Sequence, residues 1–200
     1  MADDWYRNNN WSKEIEEKFF TKLARARSQR DQYLVIQALT LSGNHPEVCL
    51  KLVDHYFETR KDKFEDVRAL LARKNAYETQ GNTSATISSY HAILKREEEF
   101  SKHSTTSYVD FPYWVSVNVI VSEYKFALEI LSKSYERLTF PLDYFKWYSS
   151  KAIIEKRKDY AEKALEVAQV KKSGFRFHQN LGLVGKEHHG TIKKLFKIKT

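Results

Sequence analysis

The pair Gly43-Asn44 returns as Gly81-Asn82, 38 residues further on, and each pair separates two amphipathic stretches. Glycine takes the left-handed conformation that a helix C-terminus favours, so each pair ends one helix and turns the chain into the next. Before the first pair, Leu34, Ile36, Ala38 and Leu41 mark a helix from Asp31 to about Ser42. After it, Pro46 suits a first helical position, because its φ is fixed and it has no N–H to leave unpaired. The helix it opens carries Val48, Cys49, Leu52, Val53 and Tyr56. In the second unit Phe64, Val67, Leu70, Leu71 and Tyr77 lead to Gly81-Asn82, and Thr83 or Ser84 caps a helix with Ala85, Ile87, Tyr90, Ile93 and Leu94. A period in the thirties marks a helical repeat array, in which each hairpin buries its apolar face on its neighbours.

The rest of the chain follows the same grammar less regularly. Only six glycines and three prolines punctuate 200 residues, too few for the turns of a sheet-rich fold. A first helix over 12–28 carries Ile15, Phe19, Phe20 and Leu23 at helical spacing. In the third unit Val115, Val117, Val119 and Val121 alternate with other residues, which by period alone is a strand. A lone strand would have no sheet for its backbone groups, so the expectation is helix, starting near Pro112 and continuing through Tyr124, Ala127, Leu128 and Leu131. Pro141 opens the fourth unit with Phe145, Tyr148, Ala152 and Ile153, and a last long helix runs from Asp159 until Gly174.

These residues make the chain resemble the tetratricopeptide repeat (TPR) family. The matches are Gly43-Asn44 with Tyr56, Tyr77 with Gly81-Asn82 and Ala85, Tyr124 with Ala127, and Tyr148 with Asp159-Tyr160 and Ala164, over roughly residues 31–171. The expected fold is all-α: antiparallel helix-turn-helix repeats stacked as a short α-solenoid, with an extended basic C-terminal tail. Residues 1–172 would form the repeat domain, with the N-terminal helix 12–28 and about four helix pairs over 31–171; residues 173–200 would be a capping segment and tail. The resemblance implies that the first helix of each pair lines a concave surface that holds a peptide or protein. It places Tyr33, Gln37, Arg68, Asn75, Lys146 and Ser149 there. Family members that clasp a peptide's terminal carboxylate use a Lys and an Asn where this chain has Tyr33 and Gln37, so that ligand is not implied.

Charge points to the C-terminal end. Of the formal net charge of +8, +7 falls from Lys171 onward, where eight basic residues face only Glu187, and +1 is left for residues 1–170. Lys186, Lys193, Lys194, Lys197 and Lys199 are therefore the candidates for an anionic partner, and nucleic acid bound through the tail is the alternative to a protein partner. Thr191–Lys199 reads as a short basic amphipathic helix able to lie on the body, an anionic surface or a partner. The apolar run around Phe175 and Phe177 suggests a segment folded back over the last helix. The end faces of a stack leave self-association open.

No catalytic constellation emerges, and no cofactor is expected. His188 and His189 are adjacent and would point about 100° apart on a helix, unlike a metal-binding i, i+4 pair, so they read as solvated tail residues. An enzymatic reading would need His178 or His188 with nearby lysines as acid and base. Gly182-Leu183-Val184-Gly185-Lys186 has two residues between its glycines where a phosphate loop has four. Cys49 is the only cysteine, which excludes an intrachain disulfide and a cysteine-based zinc site. With a polar start and no stretch near the roughly 20 apolar residues of a membrane span, the expectation is a cytoplasmic protein that binds rather than catalyses.

Overall fold

The computed structural model describes residues 4–200, and among them the regular structure is helical, ten α-helices with short 3₁₀ turns and no strand. The chain forms two compact units, 1–105 and 106–200. The division falls between the second and third hairpins, and residues 173–200 belong to the second unit.

In the first unit, α1 (Lys13–Arg25) starts where Ser12 Oγ accepts the Ile15 N–H at 3.3 Å, with Glu14 and Glu16 in its first turn and Lys22 and Arg25 in its last. Both biases favour the helix dipole. Phe19 and Leu23, four apart, bury its inner face. α2 (Arg30–Leu41) and α3 (Pro46–Thr59) form one hairpin, α4 (Asp66–Thr79) and α5 (Thr83–Glu99) the next. α4 packs against α5, α3 and α2. It can sit that close because Ala69, Ala72 and Ala76, at helical spacing and fully buried, face Leu34, Val35, Leu52 and Val53 in one apolar cluster.

A charged knot is buried in the same unit. Asp66, 4% exposed, accepts the Tyr56 hydroxyl at 2.9 Å and pairs with Arg96 at 3.0 Å and Arg60 at 3.3 Å. Arg96 also engages Glu99 and lies 4.2 Å over the Phe100 ring. An Asp on α4 thus fastens α3 and α5 to it.

The second unit repeats the packing pattern. α6 (Ser107–Val117) pairs with α7 (Tyr124–Ser134), and α8 (Pro141–Glu155) with α9 (Lys158–Val167). α8 packs against α6 and α7, and α10 (His189–Lys199) packs against α8 and α9, so α10 stands where the first helix of another pair would stand. The Asp143 carboxylate opens α8 by accepting the Phe140 and Thr139 N–H groups at 3.0 and 3.2 Å. Trp147 Nε1 donates to the Leu131 carbonyl at 3.0 Å and holds α8 on α7.

Several expectations are corrected here. α6 starts at Ser107 and contains Pro112, because Tyr108, Val109, Phe111, Pro112 and Val115 are all buried and packing outweighs the one backbone bond that proline forfeits. Val115 and Val117 are helical, Val119 is in a turn, and Val121 begins a 3₁₀ turn. α9 stops at Val167 rather than near Gly174; Gln169 and Val170 close it with bonds to carbonyls three residues back. The basic tail is no tail, since Leu195 is fully buried and Thr191 nearly so, and the amphipathic stripe read from the sequence is what docks α10.

Candidate functional site

The exposed edge of α2 is occupied by the chain itself. Trp5 and Tyr6 are half-buried against Tyr33, with ring centroids 5.1 and 4.4 Å away, the second pair stacked. Trp5 also meets Phe19 at 5.5 Å. Two positions on, the Gln37 carboxamide grips Asn8 by its backbone: Gln37 Oε1 accepts the Asn8 N–H at 2.9 Å, and Gln37 Nε2 donates to the Asn8 carbonyl at 2.8 Å. The Asn8 side chain adds a third bond, Nδ2 to Gln37 Oε1, also 2.9 Å. Gln37 is therefore fully buried. Tyr33 and Gln37 thus both contact a polypeptide segment, and that segment is internal.

On α4 of the same unit, Arg68 is half-buried and paired with Glu65 at 2.8 Å. Asn75 lines an open hollow of about 350 Å³ with Ser42, Gly43, Glu78 and Thr79. A second hollow, about 240 Å³, lies at the opposite ends of these helices, where Arg27, Arg30, Asp31, Lys61, Phe64 and Glu65 are among its lining.

In the second unit Lys146 donates to Asp110 at 2.6 Å, and Ser149 is fully buried, its hydroxyl without a hydrogen-bond partner among the described residues. Ser149 thus presents nothing to a groove, because α8 turns it toward the packed interior. Close by, the Tyr113 hydroxyl lies 2.8 Å from His188 Nδ1 and 2.7 Å from Thr191 Oγ1. Burial pushes the His188 imidazole below its ordinary value and the Tyr113 phenol above its own, so the neutral forms are favoured. His188 is not a solvated residue: it pins the start of α10 to α6. His189 and His178 are exposed.

Lys186, Lys193, Lys194, Lys197 and Lys199 are all exposed. Lys194 reaches the Val117 carbonyl at 2.8 Å, and Lys199 comes within 3.9 Å of Glu162. The second unit holds 17 Lys and Arg against 10 Asp and Glu, a net of +7, so the charge excess belongs to a folded body.

Cys49 is fully buried beside the Ala72 carbonyl, and burial pushes its thiol up to about 12, which leaves no thiolate at neutral pH. Among the described residues no group of three His, Cys, Asp or Glu side chains is placed to hold a metal ion, and no helix is long and apolar enough to cross a membrane.

Sequence reasoning missed the Trp5–Trp11 segment. It was readable, since three large aromatics in a polar stretch need an apolar surface to cover them. In the loop around Phe177, Phe175 stacks on Phe140 and Val184 packs on the core of the second unit, while Phe177 faces solvent.

Compared with known proteins, the sequence matches no family model, no curated protein and no solved structure.

Proposed function

We propose that this chain is a non-enzymatic, TPR-like helical-repeat scaffold that holds extended polypeptide along the first helices of its hairpins. The observation that carries the proposal is the clasp at Gln37, where a side-chain amide on α2 pairs with both backbone groups of Asn8 while Tyr33 stacks an aromatic two residues upstream. That is how a groove holds a peptide: backbone pairing gives affinity, and side-chain contacts give selectivity. Within each unit the first helix of the second hairpin packs on the hairpin before it, α4 on α2 and α3, and α8 on α6 and α7, which supports the repeat reading. Arg68 and Asn75, on the neighbouring first helix, extend the surface to a partner from outside the chain. A cytoplasmic setting fits the lone buried thiol.

The test is selection from a random-peptide display library on the full-length protein, followed by affinity measurement. The selected peptides should bind at least about tenfold more weakly to Arg68→Glu and Asn75→Ala, the loss of one or two hydrogen bonds at a buried contact. Asn8→Pro removes the N–H that Gln37 accepts, loosens the internal segment and should strengthen binding. No selected peptide, or affinity indifferent to all three changes, refutes the proposal.

A further inference from the structure

Twenty residues, 167–186, carry no carboxylate. They hold Lys171, Lys172, Arg176 and Lys186, and among them stand four exposed large apolar side chains: Val170 at 38%, Phe175 at 44%, Leu181 at 51% and Phe177 at 83%. An isolated exposed apolar residue is ordinary, but four within twelve positions of sequence, two of them bordering one hollow, call for an occupant.

The segment that bears them is braced. Ser173 N–H donates to the Gln179 carbonyl at 2.7 Å and Ser173 Oγ to that of His178 at 3.1 Å, while His178 and Leu181 N–H groups donate to Phe175 and His178 carbonyls at 3.2 and 2.9 Å. Its root is tied to α8 by the Leu142 N–H on the Gly182 carbonyl at 2.8 Å, and by Phe175 stacked on Phe140 at 5.1 Å. The loop therefore holds Phe177 outward in a fixed frame at little further entropic loss, with Arg176 5.4 Å from its ring. Phe177 and Leu181 border one open hollow of about 640 Å³ with His178, Gln179 and Asn180.

We propose that this loop docks the protein on an anionic lipid surface. Phe177 and Leu181 enter the boundary between headgroups and acyl chains, and Lys171, Lys172 and Arg176 stay among the lipid phosphates. Charge complementarity selects an anionic surface, and the apolar tip selects lipid over nucleic acid, because Leu181 and Val170 have no ring face on which a base can stack. Neither signal is sufficient by itself; a few inserted side chains together with a polybasic patch are the pair that a reversible membrane contact requires. The site is independent of the peptide surface proposed above.

The experiment is co-sedimentation of the full-length protein with vesicles of phosphatidylcholine, and of phosphatidylcholine with an equal part of phosphatidylglycerol. The wild type should sediment with the anionic vesicles at low salt and be released as salt rises. Phe177→Ser with Leu181→Ser should lower partitioning about tenfold through lost apolar insertion. Lys171→Gln, Lys172→Gln and Arg176→Gln together should lower it about a hundredfold, on the order of fivefold per cation. Lys193→Gln with Lys197→Gln, exposed on α10, should retain most binding, and circular dichroism confirms that each variant is folded. Absence of sedimentation with anionic vesicles, indifference to the Phe177 and Leu181 changes, or an equal loss in the α10 variant overturns the assignment. Binding of a fluorescent single-stranded oligonucleotide that the loop variants abolish, with vesicles ignored, gives the patch to nucleic acid instead and overturns it too.

Discussion

Replacing Val119 with glycine should stabilise this protein, although it removes a β-branched apolar side chain. Val119 closes α6 at φ 57, in the left-handed region. Its own N–H bonds to the Ser116 carbonyl at 3.3 Å, and the next N–H, that of Ile120, reaches Val115 at 3.0 Å. Gly81 closes α4 with the same two bonds, Gly81 to Glu78 at 3.0 Å and Asn82 to Tyr77 at 2.9 Å, at φ 68. The two turns share one geometry, but only one has the residue that adopts it freely. A side chain in that conformation costs about 1–2 kcal/mol, and a β-branched one lies at the upper end. Against this, glycine returns about 0.5–1 kcal/mol of freedom to the unfolded chain. Val119 is 59% exposed, so truncating it forfeits little burial. The net is a gain of about 1 kcal/mol, or on the order of 4–8 °C in Tm for a unit of 95 residues, 106–200. Thermal unfolding supplies the midpoint, and hydrogen-exchange mass spectrometry of α6–α7 peptides assigns the change to the second unit. The mirror variant Gly81→Val should lose about 1 kcal/mol by the same difference, since a Cβ there meets nothing within 4 Å. A Val119→Gly midpoint at or below the wild type, with Gly81→Val neutral, refutes the reasoning.

Gln37→Ala should free the N-terminal segment: three hydrogen bonds at about 1 kcal/mol each, discounted because water reaches half-exposed Asn8, give roughly 1–2 kcal/mol. Exchange at the Asn8 amide should quicken about five- to thirtyfold, and an unchanged rate would mean that the stacked aromatics hold the segment without Gln37. Asp66→Ala strands the buried Arg96 guanidinium and should cost about 3–5 kcal/mol, whereas Tyr56→Phe, which removes one bond to the same carboxylate, should cost about 1–2; urea midpoints that reverse this order exclude a central role for Asp66. Tyr56 is held above the usual tyrosine value by burial and then by its bond to Asp66, and Tyr148 is pushed up to about 12 by burial and then by Tyr135. Since the folded values exceed an unfolded value near ~10, this stability is complete below that pH and is lost progressively as pH rises from there through the folded values. Urea midpoints should fall above about pH 10, and less steeply in Tyr56→Phe; equal slopes would leave Tyr56 without a part in the alkaline transition.

Where sequence and structure agree, the local signal was strong. Gly81 takes the left-handed conformation that closes α4 at no side-chain cost, and Pro46 and Pro141 each open a helix at its first position. Where they differ, long-range packing decided. Pro112 stays inside α6 because Tyr108, Val109, Phe111 and Val115 around it are buried, and no local rule contains that information. The placement of Tyr33 and Gln37 on the outer edge of α2 is consistent with the periodicity, but what covers them lies about thirty residues away in sequence, beyond the reach of periodicity. His188 was invisible for the same reason, since its partner Tyr113 is 75 residues distant.

The position of α10 bears on contact between copies of this molecule. A stack of hairpins presents at its last helix a face shaped to receive one more, which invites end-to-end growth into filaments. In the second unit α10, which packs on α8 and α9, has eleven residues that include four lysines and no acid. Two molecules approaching by this end would bring eight ammonium groups together, so repulsion keeps them apart before any apolar contact forms. α10 thus turns a charged outer surface to solvent, which disfavours close contact between two copies by this face.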